Sequence, residues 1–138
     1  MQGFPYTRFL LYGFLTYATI FMLWSLLAAY GMSYGLGAQV ASYVVTALAL
    51  AIATRTFPIG SLRFAILAGL GWTILHMALD AVYVVPTAGF SAFLTSYVWI
   101  EYAVVALTPV ATVFYMNLPK KADEHLGADV PNQERPLL

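Results

Sequence analysis

His76 and Asp80 lie four residues apart in one apolar run, and Tyr97 and Glu101 lie four apart in the next. Four residues is slightly more than one helical turn, so each pair shares a helix face. His76, Asp80 and Glu101 are the strongly ionisable side chains held away from the ends of such runs. A charge in hydrocarbon is costly enough that it faces protein or water and has a partner or a task. An imidazole coupled to a carboxylate can hold one or two protons near neutral pH, which is what proton-driven transport requires. The plainer reading is an interhelical clamp, in which polar groups only fix two helices together. Such bonds are worth about 0.6 kcal/mol on average in a membrane.

A short turn centred near Ala88 joins the two runs, so the helices they form are expected to be antiparallel neighbours. Counting equally in both directions sets His76 level with about Ile100 and Asp80 with about Ser96, and one residue of slack pairs His76 with Glu101 and Asp80 with Tyr97. The expectation is a two-rung ladder, imidazole opposite carboxylate and carboxylate opposite phenol. At 1.5 Å per residue its deeper rung lies roughly 13–15 Å below the surface, near the bilayer centre. Gln39, Ser42, Tyr43 and Thr46 form one polar stripe at helical spacing and are expected to complete the lining of a water-filled path. Pro109 cannot donate to the carbonyl of Val105 and is expected to act as a bending point.

Other chemistries have less to stand on. His125 is the only other histidine, and it falls in the tail, so neither a multi-histidine metal site nor a bis-histidine haem is expected. Both lysines are also in the tail, which leaves no residue for a buried Schiff base. There is no cysteine, hence no thiolate ligand or disulfide. The chain lacks the H-E-x-x-H and glycine-rich phosphate-loop patterns. The reading is therefore of a protein that is not an enzyme and carries no cofactor.

The elements that position these residues follow from composition. The 138 residues are 62% hydrophobic and 9% charged, against about 25% charged in soluble domains. That much apolar surface calls for a bilayer as solvent, in the plasma membrane or a bacterial inner membrane. Formal net charge is zero, which offers nothing to nucleic acid. Apolar runs at about 9–30, 36–54, 64–85 and 90–116 each reach or approach the ~20 residues of a spanning helix. The first has a longer apolar core than a signal peptide and no small-x-small cleavage site, so it counts as a span.

Arg8, Arg55, Arg63, Lys120, Lys121 and Arg135 fall in the N-terminal lead, the second connection or the tail, and none falls in the first or third connection. The positive-inside rule then places both termini in the cytoplasm. Residues 118–138 are polar, charged and proline-rich, and read as a cytoplasmic tail with little structure of its own. The fold class is all-α: a polytopic membrane protein whose domain, 1–117, is four transmembrane helices in an up-down-up-down bundle. Neighbours in sequence are expected to be neighbours in space, with the alanines of the second helix packed on Ala65, Ala68 and Gly69 of the third.

Two functions from different classes fit. One is a small transporter or permease-like protein for an ion or solute, with His76, Asp80, Glu101 and Tyr97 handling protons or a cation. The other is a non-catalytic accessory or structural subunit of a larger membrane complex. Four helices make a thin wall for a private pathway, so besides the lipid bilayer a homodimer partner or a place in a larger assembly is expected.

Overall fold

The computed structural model describes residues 6–32, 35–57, 59 and 61–117. The polar lead before Tyr6, Tyr34, Pro58, Gly60 and the tail from residue 118, with Lys120, Lys121, His125 and Arg135, lie outside the described residues. Four long helices dominate: α1 (Tyr6–Ala29), α2 (Leu36–Thr56), α3 (Leu62–Tyr83) and α5 (Ser96–Asn117), with a one-turn helix α4 (Val85–Ala88) between the last two. There is no strand among the described residues. All four long helices are apolar and long enough to cross a membrane, consistent with a multi-pass membrane protein.

Each long helix buries a stripe at intervals of three or four residues, as a 3.6-residue repeat requires. The stripe is Gly13, Thr16 and Ile20 on α1, and Ser42, Thr46, Leu50 and Ala53 on α2. On α3 it is Ala65, Ala68, Trp72 and His76, and on α5 Tyr102, Val105, Pro109 and Thr112. The outward faces carry large apolar side chains such as Leu11, Phe14, Val44, Ile52, Leu67, Ile74 and Leu107. In a bilayer lipid would cover such a surface at no cost, so burial of hydrocarbon would do little to hold the helices together. Close van der Waals packing and interhelical hydrogen bonds must do it.

The packing does not follow the order of the chain. α3 packs on α5, α5 on α2, α2 on α1 and α1 on α3. Neither α2 with α3 nor α1 with α5 forms a comparable pair among the described residues. This corrects the expectation that the second and third helices are neighbours. The small residues of α3 do meet a close backbone, but it belongs to α5, where a Cβ on Gly69 would overlap the Ala106 carbonyl oxygen. Small residues announce a close neighbour without saying which helix it is.

The two ends of the molecule differ in kind. Early α1, late α2, early α3 and late α5 build a dry plug of Leu50, Ala53, Phe57, Ala68, Trp72 and Val105. Phe9 stacks on Trp72 with ring centroids 5.7 Å apart. The Trp72 indole N–H also donates to the Phe9 carbonyl at 2.9 Å, so the buried ring keeps its polar atom satisfied. The other end holds His76, Asp80 and Glu101.

The last apolar run is not one helix from residue 90, as its hydropathy suggests. Gly89 takes a left-handed φ of 78°, a 3-10 turn covers Phe90–Leu94, and extended Thr95 separates that turn from α5. The Trp99 indole N–H donates to the Phe93 carbonyl at 2.8 Å and pins the turn against α5. Hydropathy cannot distinguish an apolar turn folded over a helix end from the helix itself.

Gly69→Ala is expected to lower the apparent melting temperature in detergent by several degrees. Overpacking of this kind costs about 1–3 kcal/mol, and here the obstacle is backbone. Gly37→Ala, with open space around its Cβ, should leave the melting temperature unchanged or raise it. Equal melting temperatures for the two variants would mean that α3 and α5 are not in contact at Ala106.

Candidate functional site

α1 and α5 stand apart at the end away from the plug, and a cavity of about 240 Å³ occupies the gap between α1, α3, α5 and the 3-10 turn. His76, Asp80 and Glu101 all line it, together with Tyr17, Tyr97 and Tyr102. The three residues singled out by rarity thus share one chamber, but the structure does not pair them as a ladder.

Glu101 faces α2. Its Oε1 accepts hydrogen bonds from Ser42 Oγ at 3.0 Å and Thr46 Oγ1 at 3.1 Å, and its Oε2 accepts one from Tyr97 OH at 2.7 Å. Trp24 Nε1–H donates to Ser42 Oγ at 3.0 Å, which orients that hydroxyl towards the carboxylate. Asp80 faces α1 and α5: Oδ1 accepts from Tyr17 OH at 2.9 Å, and Oδ2 from Tyr102 OH at 2.6 Å. His76 faces α1, with Nε2 3.4 Å from Thr16 Oγ1. Thr16 directs its one hydroxyl proton at the carbonyls of Tyr12 and Gly13, so its oxygen is left to accept. The imidazole therefore presents Nε2–H to it.

Three corrections to the sequence reading follow. His76 makes no hydrogen bond or ion pair with Glu101 among the described residues; it meets Thr16, and the Tyr17 ring edge-on at 5.3 Å. Asp80 is held by Tyr17 and Tyr102 rather than by Tyr97, which serves Glu101. Counting from a turn sets the depth of two residues, but not the direction each takes around its own axis, and that direction decides the partner.

The third correction concerns the stripe on α2. Ser42 and Thr46 are fully buried behind Glu101 instead of lining the cavity. Tyr43 stacks on Tyr97 at 5.6 Å and donates to its carbonyl at 3.4 Å, holding the phenol from outside. Gln39, in the first turn of α2, is not part of the cluster. Pro109 is buried within an uninterrupted α5, on the plug side, one residue after Thr108, whose hydroxyl donates to the Val104 carbonyl at 2.7 Å.

The sequence reading missed Thr16, Tyr17 and Trp24 of α1, and Tyr102 of α5. Tyr17 and Trp24 lie seven apart, with Thr16 and Ile20 on the same side, a polar and aromatic stripe at helical spacing. The first helix carries no charge beyond its opening turn, and that made its stripe look passive.

Among the described residues both carboxylates accept only from hydroxyls, and no lysine or arginine bonds to either one. In a membrane interior such electrostatics would be unusual. Arg8, Arg55 and Arg63 lie in the first turn of α1, the last turn of α2 and the first turn of α3, at the helix ends remote from the cavity and exposed. Hydroxyl donors satisfy the lone pairs of an ionised carboxylate but bring no positive charge. They can also turn to accept, so a protonated carboxyl finds partners in the same place.

Double-mutant cycles on unfolding in detergent should separate these contacts. Thr46→Val with Glu101→Gln is expected to show a coupling of about 0.6 kcal/mol. His76→Gln with Glu101→Gln should be additive within error. The reverse pattern would restore the ladder and remove the geometry described here. No known protein family, curated protein or solved structure matches this chain, so the site is read from its own chemistry.

Proposed function

We propose that this protein is a small multi-pass membrane transporter in which Asp80 and Glu101 exchange a proton for a cation. The observation that carries the reading is the absence of a cationic side chain beside either carboxylate in the described residues. A carboxylate at depth in a bilayer costs about 2.5–3.5 kcal/mol on insertion scales, and more without a partner. Here the charge is balanced by something that comes and goes, a proton or a cation in the cavity. Hydroxyls that can either donate or accept support both states without rearranging the backbone. His76, at the floor of the chamber beside Thr16, can pass a proton between the cavity and the carboxylates.

In this reading the four spans form an up-down-up-down bundle with both ends in the cytoplasm, because the arginines gather at the plugged end. The cavity then opens towards the outer side and the plug closes the cytoplasmic side. Pro109, on the plugged half of α5, is the bending point for a rearrangement that would open it. The chain contains no cysteine, so sidedness can be read from single introduced thiols. In intact cells a membrane-impermeant maleimide should label Thr87→Cys and spare Thr56→Cys; the opposite pattern would invert the orientation.

Transport is tested in proteoliposomes with an entrapped pH dye and an acidic interior. External sodium, potassium, choline or tetraethylammonium chloride is added in turn. At least one is expected to collapse the pH gradient through the wild type. Glu101→Gln and Asp80→Asn should abolish that flux while folding normally, since the surrounding hydroxyls can accept from an amide. A wild type indistinguishable from empty liposomes with every cation would overturn the proposal.

A second reading has one observation in its favour: no buried side-chain nitrogen or oxygen among the described residues lacks a hydrogen-bond partner. That completeness is also what a purely structural clamp would show. In an accessory subunit the same two substitutions would lower thermal stability and move no ion, and the apolar outer faces would be covered by a homodimer partner or a larger complex.

A further inference from the structure

The carboxylates occupy only one part of the cavity wall. The remainder is aromatic and aliphatic: Phe21 stacks on Tyr17, Trp24 meets Tyr97 edge-on, and Phe93 lies against Tyr102. At about 240 Å³ the chamber has room for several waters, but much of its wall offers water nothing to bind. A bare inorganic cation is poorly served as well. Hard cations take six or more oxygens, close together and in fixed geometry. No three His, Asp or Glu side chains gather closely enough to hold one among the described residues, and the carboxylate oxygens already accept hydroxyl protons.

We propose that the cavity binds a small organic ammonium ion, its alkyl groups against Trp24, Phe93 and the tyrosine rings and its charge balanced by Asp80 and Glu101. The electron-rich ring faces attract a cation that brings little hydration of its own, and the attraction grows where water is excluded. A quaternary or tertiary ammonium asks for this combination of negative charge at a few ångströms and apolar contact elsewhere. It need not displace the hydroxyls from the carboxylates, because its charge is spread over its methyl or ethyl groups. Phe93 stands on the 3-10 turn, where the Trp99 indole fixes its carbonyl and Phe90 and Tyr102 flank its ring. The inference rests on the proton-for-cation reading of the same site and supplies its substrate class.

Binding is measured on the whole purified protein in detergent by calorimetric titration with tetraethylammonium chloride. Sodium chloride serves as the inorganic control. Choline against its neutral carbon analogue, 3,3-dimethylbutan-1-ol, serves as the charge control. Saturable one-site binding of tetraethylammonium is expected, with sodium and the neutral alcohol giving none. Phe93→Leu keeps the apolar bulk and loses the ring face, and should weaken binding about five- to tenfold. Asp80→Asn with Glu101→Gln should abolish binding, with melting temperature checking that the variants are folded.

No saturable binding to the wild type, or equal affinity in Phe93→Leu and in the carboxylate double variant, would overturn the proposal. The two readings fail separately. Sodium or potassium that collapses a pH gradient while tetraethylammonium does not bind removes the ligand class and keeps the transporter. Tetraethylammonium that binds as described while no cation moves protons keeps the site and removes transport.

Discussion

The structure turns on two carboxylates that are fully hydrogen-bonded yet electrically unmatched. Hydrogen bonds from neutral hydroxyls and compensation by a positive charge solve different problems. The first fills lone pairs over less than 3.2 Å; the second offsets a field that falls slowly where little water intervenes. Ser42, Thr46 and Tyr97 do the first for Glu101, and Tyr17 and Tyr102 do it for Asp80. Nothing in the described residues does the second. A purely structural pairing is more economically built with a cation on the facing helix, or with no charge at all.

The packing order serves that arrangement. With α2 behind Glu101, α1 beside His76, and α1 and α5 both reaching Asp80, three helices each present hydroxyls to the charged groups of α3 and α5. Had α2 packed on α3, its serine and threonine would lie far from Glu101. The Gly69–Ala106 approach draws α3 and α5 together below the chamber. Bulkier residues from Tyr102 to the turn then keep the space above it open.

Much of this was legible in the sequence, and the illegible part is of one kind. Run lengths located the four long apolar helices, because the length a bilayer would impose shows in the composition. Rarity located His76, Asp80 and Glu101, because a charge in hydrocarbon stands out against its neighbours. Antiparallel counting even set the depth of α3 against α5 closely: residues 76 and 101 sum to 177, and the observed Gly69–Ala106 contact sums to 175. Partner choice was not legible, since it depends on rotation about each helix axis and on which helices are adjacent. A slip of one residue rotates a side chain by about 100°, enough to turn His76 from α5 to α1. Nor was the role of α1 legible, because tyrosine, threonine and tryptophan within an apolar run are as common in packing as in a site.

The division into a dry half and a polar half constrains how any solute could cross. A path already open through the plug would need polar groups among Phe9, Phe57, Trp72, Leu50 and Val105, and the Trp72 indole, the one polar atom in those side chains, is occupied by the Phe9 carbonyl. Crossing would therefore require the plug to part, and one seam in it is where α1 meets α3. That contact is made by side chains, with Phe9 stacked on Trp72 and Gly13 and Gly71 admitting Trp72, Leu75 and Phe9, whereas α3 and α5 meet backbone to backbone at Gly69 and Ala106. Motion of α1 against a fixed α3–α5 pair would also carry Thr16 and Tyr17 away from His76 and Asp80. Opening the plug and changing the hydrogen bonding of the buried ionisable groups would then be one event, and coupling of charge to movement needs no further device.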